Sequence, residues 1–222
     1  MIVSEMVHID VEVDAKSMRI YIFKLATLLL LVLPGTAMAT EEAKYDLVRQ
    51  DNDFELRDYE SQIVAEVIVD ASFKRAGTRA FRPLFNYISG DNTTQTDIAM
   101  TAPVSQVAQS QDIAMTSPVG QRASEGGWAV SFMMPAEFTM ETIPLPTNPE
   151  VRLREIPAHR MAAITYSGRW TKKRYQSHLE KLTAWIEDES LVTTGQPVFA
   201  RYNAPLTPWF MRRNEILLPV ED

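Results

Sequence analysis

The chain of 222 residues has no cysteine, and acidic residues outnumber basic ones. Without cysteine there is no disulfide scaffold, no thiolate metal site and no cysteine nucleophile. The 29 acidic and 22 basic residues give a net charge of −7, so the chain carries no general basic field for nucleic acid or for an anionic membrane surface. Composition therefore favours neither nucleic acid nor a stable membrane anchor as a partner.

Long apolar runs are also scarce. The most apolar stretch, Leu25–Leu33, is shorter than the about 20 residues that a membrane-spanning helix needs. Arg19 and Lys24 precede it, and Ala-Met-Ala follows at residues 37–39, which is the pattern of a secretory signal peptide. We expect residues 1–39 to be an N-terminal extension and a cleaved signal peptide, with an uncleaved anchor as the alternative. The protein is then exported, periplasmic or secreted.

Two segments of the remaining chain match each other without a gap. In Phe54–Ala65 and Val151–Ala162, a Leu-Arg pair recurs at the same offset and both segments end in alanine. Each continues into an alternating, β-branched run that is typical of a strand. A match at fixed spacing is the signature of an internal repeat. The sequence therefore predicts one structural unit that occurs twice.

Helical periodicity follows each of these strands. The first predicted helix begins at Ser72, ends at Gly90 and contains Pro83, which we expect to kink or break it. The second predicted helix covers Lys172–Glu189. Further strands are predicted at Trp128–Met134, Val198–Tyr202 and Arg213–Val220.

These elements predict an α+β fold in which duplicated β-α-β-β units form a distorted antiparallel β-barrel flanked by two helices. The sequence has no composition break that would separate independent domains. We expect a single domain over residues 40–222, with halves at about 45–135 and 150–220 and a proline-rich connection between them.

A second repeat lies inside the first half, where Asp97–Val104 recurs as Asp112–Val119 with one difference. One interpretation is a hairpin of similar strands, in which Met100 and Met115 point to the same side together with their neighbouring isoleucines. The other is that Met100 and Met115 line a pocket for a large flat ligand, because methionine is polarizable and adaptable.

Together these motifs resemble the SOUL haem-binding family, over nearly all of the chain from Tyr45 to Val220. The matching stretches, in order, are Phe54–Tyr59, the two Met-Thr-x-Pro segments, Val130–Pro135, Leu153–Pro157, Phe199–Asn203 and Arg212–Glu215. The resemblance implies a distorted β-barrel with two helices and tetrapyrrole binding in a shallow apolar site beside the first helix. It implies no catalytic residue, so the expected role is a carrier, buffer or sensor of haem rather than an enzyme.

Haem requires apolar faces for its ring and cations for its propionates. On the first helix, Phe81 and Phe85 are one turn apart and are candidates to cover a ring face, with a plain core role as the alternative. Arg75 and Arg79 on the same helix are candidates for the propionates, because arginine binds carboxylates with two hydrogen bonds. A solvated cationic face is the alternative for these arginines.

An aromatic loop near the C-terminus contains Trp209 and Phe210. It is a candidate to close over a ligand, with a structural plug at the end of the barrel as the equal alternative. The run Arg212–Glu215 beside it is expected to build an ion-pair network that fixes the last strand.

No axial ligand to haem iron can be assigned from the sequence, and the metal ligand stays unknown. The resemblance implies basic residues at two positions that are Thr78 and Thr207 here, and a histidine where this chain has Asp58. His159 and His178 are expected to be surface or boundary residues.

Two other functions stay open. A hydrolase acting in a cleft between the halves has Glu66, Glu155 and Glu215 as possible acids or bases, although no Ser-His-Asp order or metal-ligand spacing accompanies them. The second open function is a binding domain for another amphipathic molecule. A buried carboxylate at the pocket floor favours cations or catalysis, whereas an apolar floor with arginines at the rim favours haem.

Overall fold

The computed structural model describes residues 40–95 and 110–221, and these residues form an α+β structure. The helices are α1 (Phe73–Ile88) and α2 (Lys172–Asp188), and Trp209–Met211 forms a 3-10 turn. In chain order the strands are β1 (Glu41–Glu42), β2 (Tyr45–Asp51), β3 (Phe54–Tyr59), β4 (Gln62–Val69), β5 (Asn92–Thr93), β6 (Thr116–Ser117), β7 (Val119–Ser124), β8 (Gly127–Met133), β9 (Leu145–Pro146), β10 (Arg152–Ile156), β11 (His159–Tyr166), β12 (Val198–Arg201) and β13 (Asn214–Pro219).

Nine of these strands form one antiparallel sheet in the order β10-β4-β8-β7-β12-β13-β11-β3-β2. The sheet curls into a half-barrel, which confirms the predicted α+β class with two flanking helices. Pairs β1-β6 and β5-β9 stand outside it. Strands β2 and β7 extend the sheet beyond the strands that the sequence pattern had predicted.

The strand order joins the two sequence halves twice at the outer strands. Strand β10 of the second half pairs with β4 of the first, and β3 of the first half pairs with β11 of the second. Exchanging β3 with β10, β4 with β11, β7 with β12 and β8 with β13 reproduces the order of these eight strands in reverse. The order is compatible with a duplicated unit, and the duplication itself stays a prediction.

Both helices cover the same face of the sheet, because the register places the residues beneath them on one side. Helix α1 packs through Ala80 and Leu84 against β4 and β8, and α2 packs through Leu182 and Ile186 against β11 and β13. The alternation of a strand turns the next residues to the opposite, helix-free face. That face has a small apolar cluster of its own, around Ala163 and Leu217.

Helix α1 runs without a break through Pro83 and ends where the sequence predicts. Of the expected kink or break at Pro83, the break is therefore wrong and the kink stays a prediction: packing of the buried side of α1 keeps the helix continuous despite the missing amide donor. At its end, Asp91 N donates to Asn86 O at 2.9 Å and Gly90 has φ of +105°, the geometry of a Schellman cap. The Ser72 side chain makes no capping hydrogen bond.

Helix α2 begins and ends within a residue of its prediction. The Thr171 hydroxyl oxygen accepts a hydrogen bond from Arg174 N, which is a normal N-terminal cap. Among the described residues, no helix is long and apolar enough to cross a membrane.

Candidate functional site

The outer side of α1 carries positive charge without any acidic residue in the helix. Its cations are Lys74, Arg75, Arg79 and Arg82, and all four are exposed. Within the described part of the chain, none of the four forms an ion pair. Arg79 donates one hydrogen bond, from Nη1 to Asp70 O at 2.7 Å. These cationic groups are therefore available to an anionic ligand.

Phe81 and Phe85 lie next to these cations and form a stacked pair on the outside of α1. Their ring centroids are 5.5 Å apart and the rings are nearly parallel, at 13°. The side chains are 40% and 42% exposed, so they are not core residues. Phe81 also meets the edge of buried Phe132 at 5.7 Å, which fixes the inner side of the pair. The structure therefore offers an apolar, aromatic surface one helical turn long.

The second copy of the Met-Thr-x-Pro repeat passes the C-terminal end of α1. Ile113 N donates to Ile88 O at 2.7 Å, and Asp112 forms a single β-bridge with Ser89. Ile113 is buried, whereas Met115 is exposed, so the expectation that both point to one side of a hairpin is wrong. The chain here has no regular strand before Thr116, so strict alternation does not apply. The first copy, including Met100, lies outside the described residues.

Trp209 lies in a different part of the fold from the phenylalanine pair. It belongs to the 3-10 turn between β12 and β13, and its described ring contacts are with Phe210 at 5.6 Å and with the Arg169 guanidinium at 5.6 Å. The structure does not bring Trp209 together with Phe81 and Phe85. Its predicted role as part of the same ligand site therefore has no contact to support it.

Among the cavities of the described surface, two are lined by residues of both halves. The larger has a volume of about 400 Å³, and its charged lining consists of five glutamates and one lysine: Glu41, Glu42, Lys44, Glu60, Glu141 and Glu155. The smaller, about 100 Å³, lies on the helix-free face between the two halves, beside Tyr59, Arg122 and Met161. Ligand pockets typically measure about 300 to 1,000 Å³. The first is large enough for a flat ring but acidic, and the second is too small.

A buried polar network occupies the helix-free face beside the small cavity. Glu215 is fully buried and accepts hydrogen bonds from Arg57 Nη1 at 2.8 Å, from the Tyr202 hydroxyl at 2.6 Å and from Arg213 Nη2 at 2.8 Å. Arg57 is buried as well and also donates to Tyr59 Oη at 3.0 Å. This network confirms the predicted ion-pair role of Arg212–Glu215 for Arg213 and Glu215, and it extends that role to Arg57.

The network keeps its charges fixed. Burial raises the pKa of Glu215. The hydrogen bonds and charge of Arg57, together with the hydrogen bond of Tyr202 and the charge of Arg213, lower this pKa by more, so the net shift is downward. Burial lowers the pKa of Arg57, but Glu215 and Tyr59 raise it above its usual value. Tyr59 is shifted upward to a pKa of about 12, mainly by burial. A carboxylate held in this way by two cations is a poor general base.

A second carboxylate on this face is also paired. Glu66 is bound by Arg122 at 2.9 Å and by Arg154 at 3.1 Å. Two of the three carboxylates that the sequence proposed for catalysis, Glu66 and Glu215, are therefore each paired with two guanidinium groups. The third, Glu155, is exposed and lines the larger cavity. Arg57, Arg122 and Arg154 come from other strands, which is why spacing along the chain did not reveal them, whereas Arg213 lies two residues from Glu215.

Comparison with protein families decides the relationship of this chain. The model of the family described as SOUL heme-binding protein matches residues 40–219. The chain belongs to the SOUL family. No curated protein is significantly similar to it in sequence.

Solved structures with the same fold are distant from this SOUL protein in sequence. The C-terminal domain of EcmrR has a TM-score of 0.51 and 15% identity, covering 80% of this chain and 98% of that one. A hydrolase from Listeria innocua has a TM-score of 0.50 and 13% identity, covering 78% and 94%. EcmrR in a DNA complex has a TM-score of 0.52 and 14% identity, covering 93% and 67%. At such identities these likenesses show the fold alone.

The positions where a basic or histidine ligand was implied hold other residues in this SOUL protein. Thr78 is exposed on α1, and the carbonyl of Thr207 accepts from Arg212 Nε at 2.8 Å. Asp58 pairs with Arg160 at 2.7 Å, and this hydrogen bond lowers its pKa. No group of three or more metal-ligating His, Cys, Asp or Glu side chains occurs among the described residues.

The two histidines of the described chain are held by neighbouring groups. His159 Nδ1 lies 2.7 Å from Pro157 O, and the ring stacks on Tyr59. His178 Nδ1 lies 2.7 Å from Arg174 O, and its ring stacks on Tyr166 with centroids 3.8 Å apart. Burial lowers the pKa of His178. Neither ring has a described contact with Phe81 or Phe85, so neither is an axial-ligand candidate for a ring bound there.

Proposed function

We propose that this SOUL protein binds haem or a related tetrapyrrole on the outer side of α1, as a carrier, buffer or sensor. Family membership supports the ligand class. The observation that carries the location is the stacked, half-exposed Phe81–Phe85 pair, bordered by arginines without acidic partners. A porphyrin has one flat apolar ring and two propionates, and this surface offers a complement to each.

Electrostatics favours this surface over the cavities. Five glutamates around the 400 Å³ cavity repel propionates, and on the helix-free face the 100 Å³ cavity is too small for the ring. On α1, by contrast, the cations stand unpaired in a chain whose net charge is −7. An arginine that needs no rearrangement of an existing ion pair can bind a propionate without first losing another partner.

Binding on α1 needs no axial ligand from the described residues. We propose that a flat apolar surface and the propionate cations supply the affinity, so metal-free porphyrin and haem bind alike. We also propose no catalytic role, because Glu215 and Glu66 are each held by two arginines and are not free to exchange protons with a substrate.

The test is a titration of residues 40–222 with hemin and with protoporphyrin IX, following the Soret band and tryptophan fluorescence. We expect saturable binding of both, with Kd below about 10 µM. Arg75→Ala combined with Arg79→Ala should weaken binding by about tenfold or more, since a charge-assisted hydrogen bond contributes about 1.5 to 3 kcal/mol. Phe81→Ser combined with Phe85→Ser should weaken it as well.

A matched control replaces exposed arginines elsewhere, Arg152→Ala with Arg169→Ala, and should leave both affinities unchanged. No saturable binding of either ligand would overturn the proposed function. Binding that survives all α1 substitutions would move the site away from this helix. A hemin affinity far above that of protoporphyrin IX would show that iron is coordinated.

A further inference from the structure

The loop between β12 and β13 exposes an unusual amount of apolar surface. Leu206 is 97% exposed, and Trp209, Phe210 and Met211 are 49%, 62% and 64% exposed. The loop is nevertheless tied down: Ser167 Oγ donates to Phe210 O at 2.8 Å, and Arg212 donates to Thr207 O and Pro205 O, each at 2.8 Å. These side chains are therefore held outward by the fold. We call residues 204–211 the apolar loop.

A cationic segment lies beside the apolar loop. The connection from β11 into α2 touches it through Ser167 and through Arg169, whose guanidinium lies over the Trp209 ring. Residues 166–174 contain four cations, Arg169, Lys172, Lys173 and Arg174, and no acid. All four are exposed, and none forms an ion pair with another described residue. Residues 199–213 likewise contain no acid. We call Arg169, Lys172, Lys173 and Arg174 the basic cluster.

The position of the basic cluster is unfavourable for the helix itself. The first turn of α2 contains Lys172, Lys173 and Arg174, and this turn has no acidic residue. The helix dipole places partial positive charge there, so cations at a helix N-terminus are destabilising. Helix stability does not explain three cations in this turn, whereas recognition of an anionic surface does.

Neighbouring acids do not neutralise the basic cluster. Glu42 is paired with Arg213 at 2.8 Å, and Glu215 is buried beneath the same arginine. Asp53 lies in the turn before β3, and its carbonyl accepts a hydrogen bond from Thr165 N. Among the described residues the basic cluster therefore keeps its positive charge free of ion pairs, although the whole chain has a net charge of −7.

We propose that the apolar loop and the basic cluster form a surface that binds anionic lipid bilayers reversibly. Tryptophan and phenylalanine are suited to the boundary between headgroups and acyl chains, and each lysine or arginine near an anionic surface strengthens attraction to it. The apolar side chains protrude from a loop instead of lining a groove, and the charged residues beside them are all positive. This geometry matches a soft, uniformly charged surface better than a protein partner with a defined pocket. The surface does not include Phe81 or Phe85 and does not depend on tetrapyrrole binding.

The test uses residues 40–222, which form a compact unit. The apolar run 25–33 is left out so that it does not bind lipid itself. The chain is sedimented with vesicles of phosphatidylcholine alone or mixed with phosphatidylglycerol. We expect binding to the mixed vesicles, weakening with salt, and a blue shift of tryptophan emission. Because Trp209 is the tryptophan with an exposed side chain, Trp209→Phe should abolish the shift while binding persists.

Charge and apolar variants separate the two contributions. Lys172→Glu with Lys173→Glu should weaken binding by at least about tenfold, since each cation contributes about 1 kcal/mol at an anionic surface. These changes favour the helix, because acids suit its N-terminus, so misfolding is not expected. Phe210→Ser with Met211→Ser should also weaken binding.

Controls of similar exposure lie on other surfaces. Lys181→Glu, on α2 about 13 Å from the first turn by helix rise, and Leu145→Ser with Val192→Ser should bind as the parent does. Absence of binding to mixed vesicles would overturn the proposal, as would binding that the basic-cluster and apolar-loop variants leave unchanged. Binding only to vesicles that contain membrane proteins would overturn the lipid assignment in favour of a protein partner.

Discussion

At the scale of single residues, Glu215 has the most demanding environment in the described structure. It is fully buried, and its two oxygens accept hydrogen bonds from Arg57, Arg213, Tyr202 and the Thr165 hydroxyl. Burying charged groups costs free energy, which their mutual attraction offsets only while each partner is present. Removal of one charge therefore leaves the other charges buried without compensation.

We predict that Glu215→Gln lowers the free energy of unfolding by about 3 to 5 kcal/mol, the usual cost of breaking a buried ion pair. The measurement is urea denaturation of parent and variant. Glu155→Gln is the control, because Glu155 is exposed, and it should change stability by less than about 0.5 kcal/mol. A similar small change for Glu215→Gln would show that the network does not stabilise the fold.

The same residue predicts a pH dependence. The pKa of Glu215 is lowered in the folded state, so its contribution to the free energy of unfolding is fully present above the pKa of the unfolded chain, which is about 4.3. It is lost as pH falls through the folded pKa, because the unfolded chain takes up the proton first. The difference in unfolding free energy between parent and Glu215→Gln should therefore narrow below about pH 4. A difference that is constant from neutral to acidic pH would contradict this.

At the scale of elements, helix α1 illustrates how a neighbouring strand changes the role of a residue. Gly77 lies mid-helix, where alanine is normally better by about 0.5 to 1 kcal/mol. A Cβ here would overlap Nη1 of Arg201 from β12. That guanidinium lies near the rings of Phe73 and Phe199 and donates to Gln121, and burial lowers the pKa of Arg201 to about 10. Gly77 therefore makes room for a confined cation.

We predict that Gly77→Ala destabilises the protein despite the higher helix propensity of alanine, by about 1 to 3 kcal/mol as for other overpacked sites. Thermal or urea unfolding measures it. In an Arg201→Met background the same substitution should become neutral or stabilising, because the shorter apolar side chain can withdraw. Equal effects in both backgrounds would exclude the contact with Arg201 as the cause.

At the scale of the whole molecule, the two sequence halves are joined through one sheet. Strand β4 pairs with β10, β3 with β11 and β7 with β12, and each of these pairs contains one strand from either half. Neither half can complete its sheet alone. This topology explains why a repeated unit need not form two independent domains.

We predict that fragments 40–149 and 150–222 do not fold separately, whereas an equimolar mixture regains structure. Each isolated fragment would expose three strand edges that are paired in the intact chain. Near-ultraviolet circular dichroism and denaturant unfolding of each fragment and of the mixture provide the measurement, with residues 40–222 as reference. Cooperative unfolding of either fragment alone would contradict the single domain expected over 40–222.

Local pattern was sufficient where a structure depends on neighbours in the chain. The bounds of α2, the stop of α1 at Gly90 and the strands β4 and β11 follow periodicity and capping, which act over a few residues. The continuity of α1 through Pro83 does not follow from local pattern, because packing against the sheet overrides the local penalty for proline in a helix.

By itself, the sequence determined the α+β class, the run of cations in α1 and the absence of cysteine chemistry, since these depend on composition and spacing. Only the tertiary structure decided that Phe81 and Phe85 are exposed, that Trp209 lies apart from them and that Glu215 is held by Arg57. It also joined residues 166–174 to residues 204–211 in one basic and apolar surface. Exposure and pairing depend on which distant strands become neighbours, and the pairing register of the sheet, rather than any local pattern, fixes that.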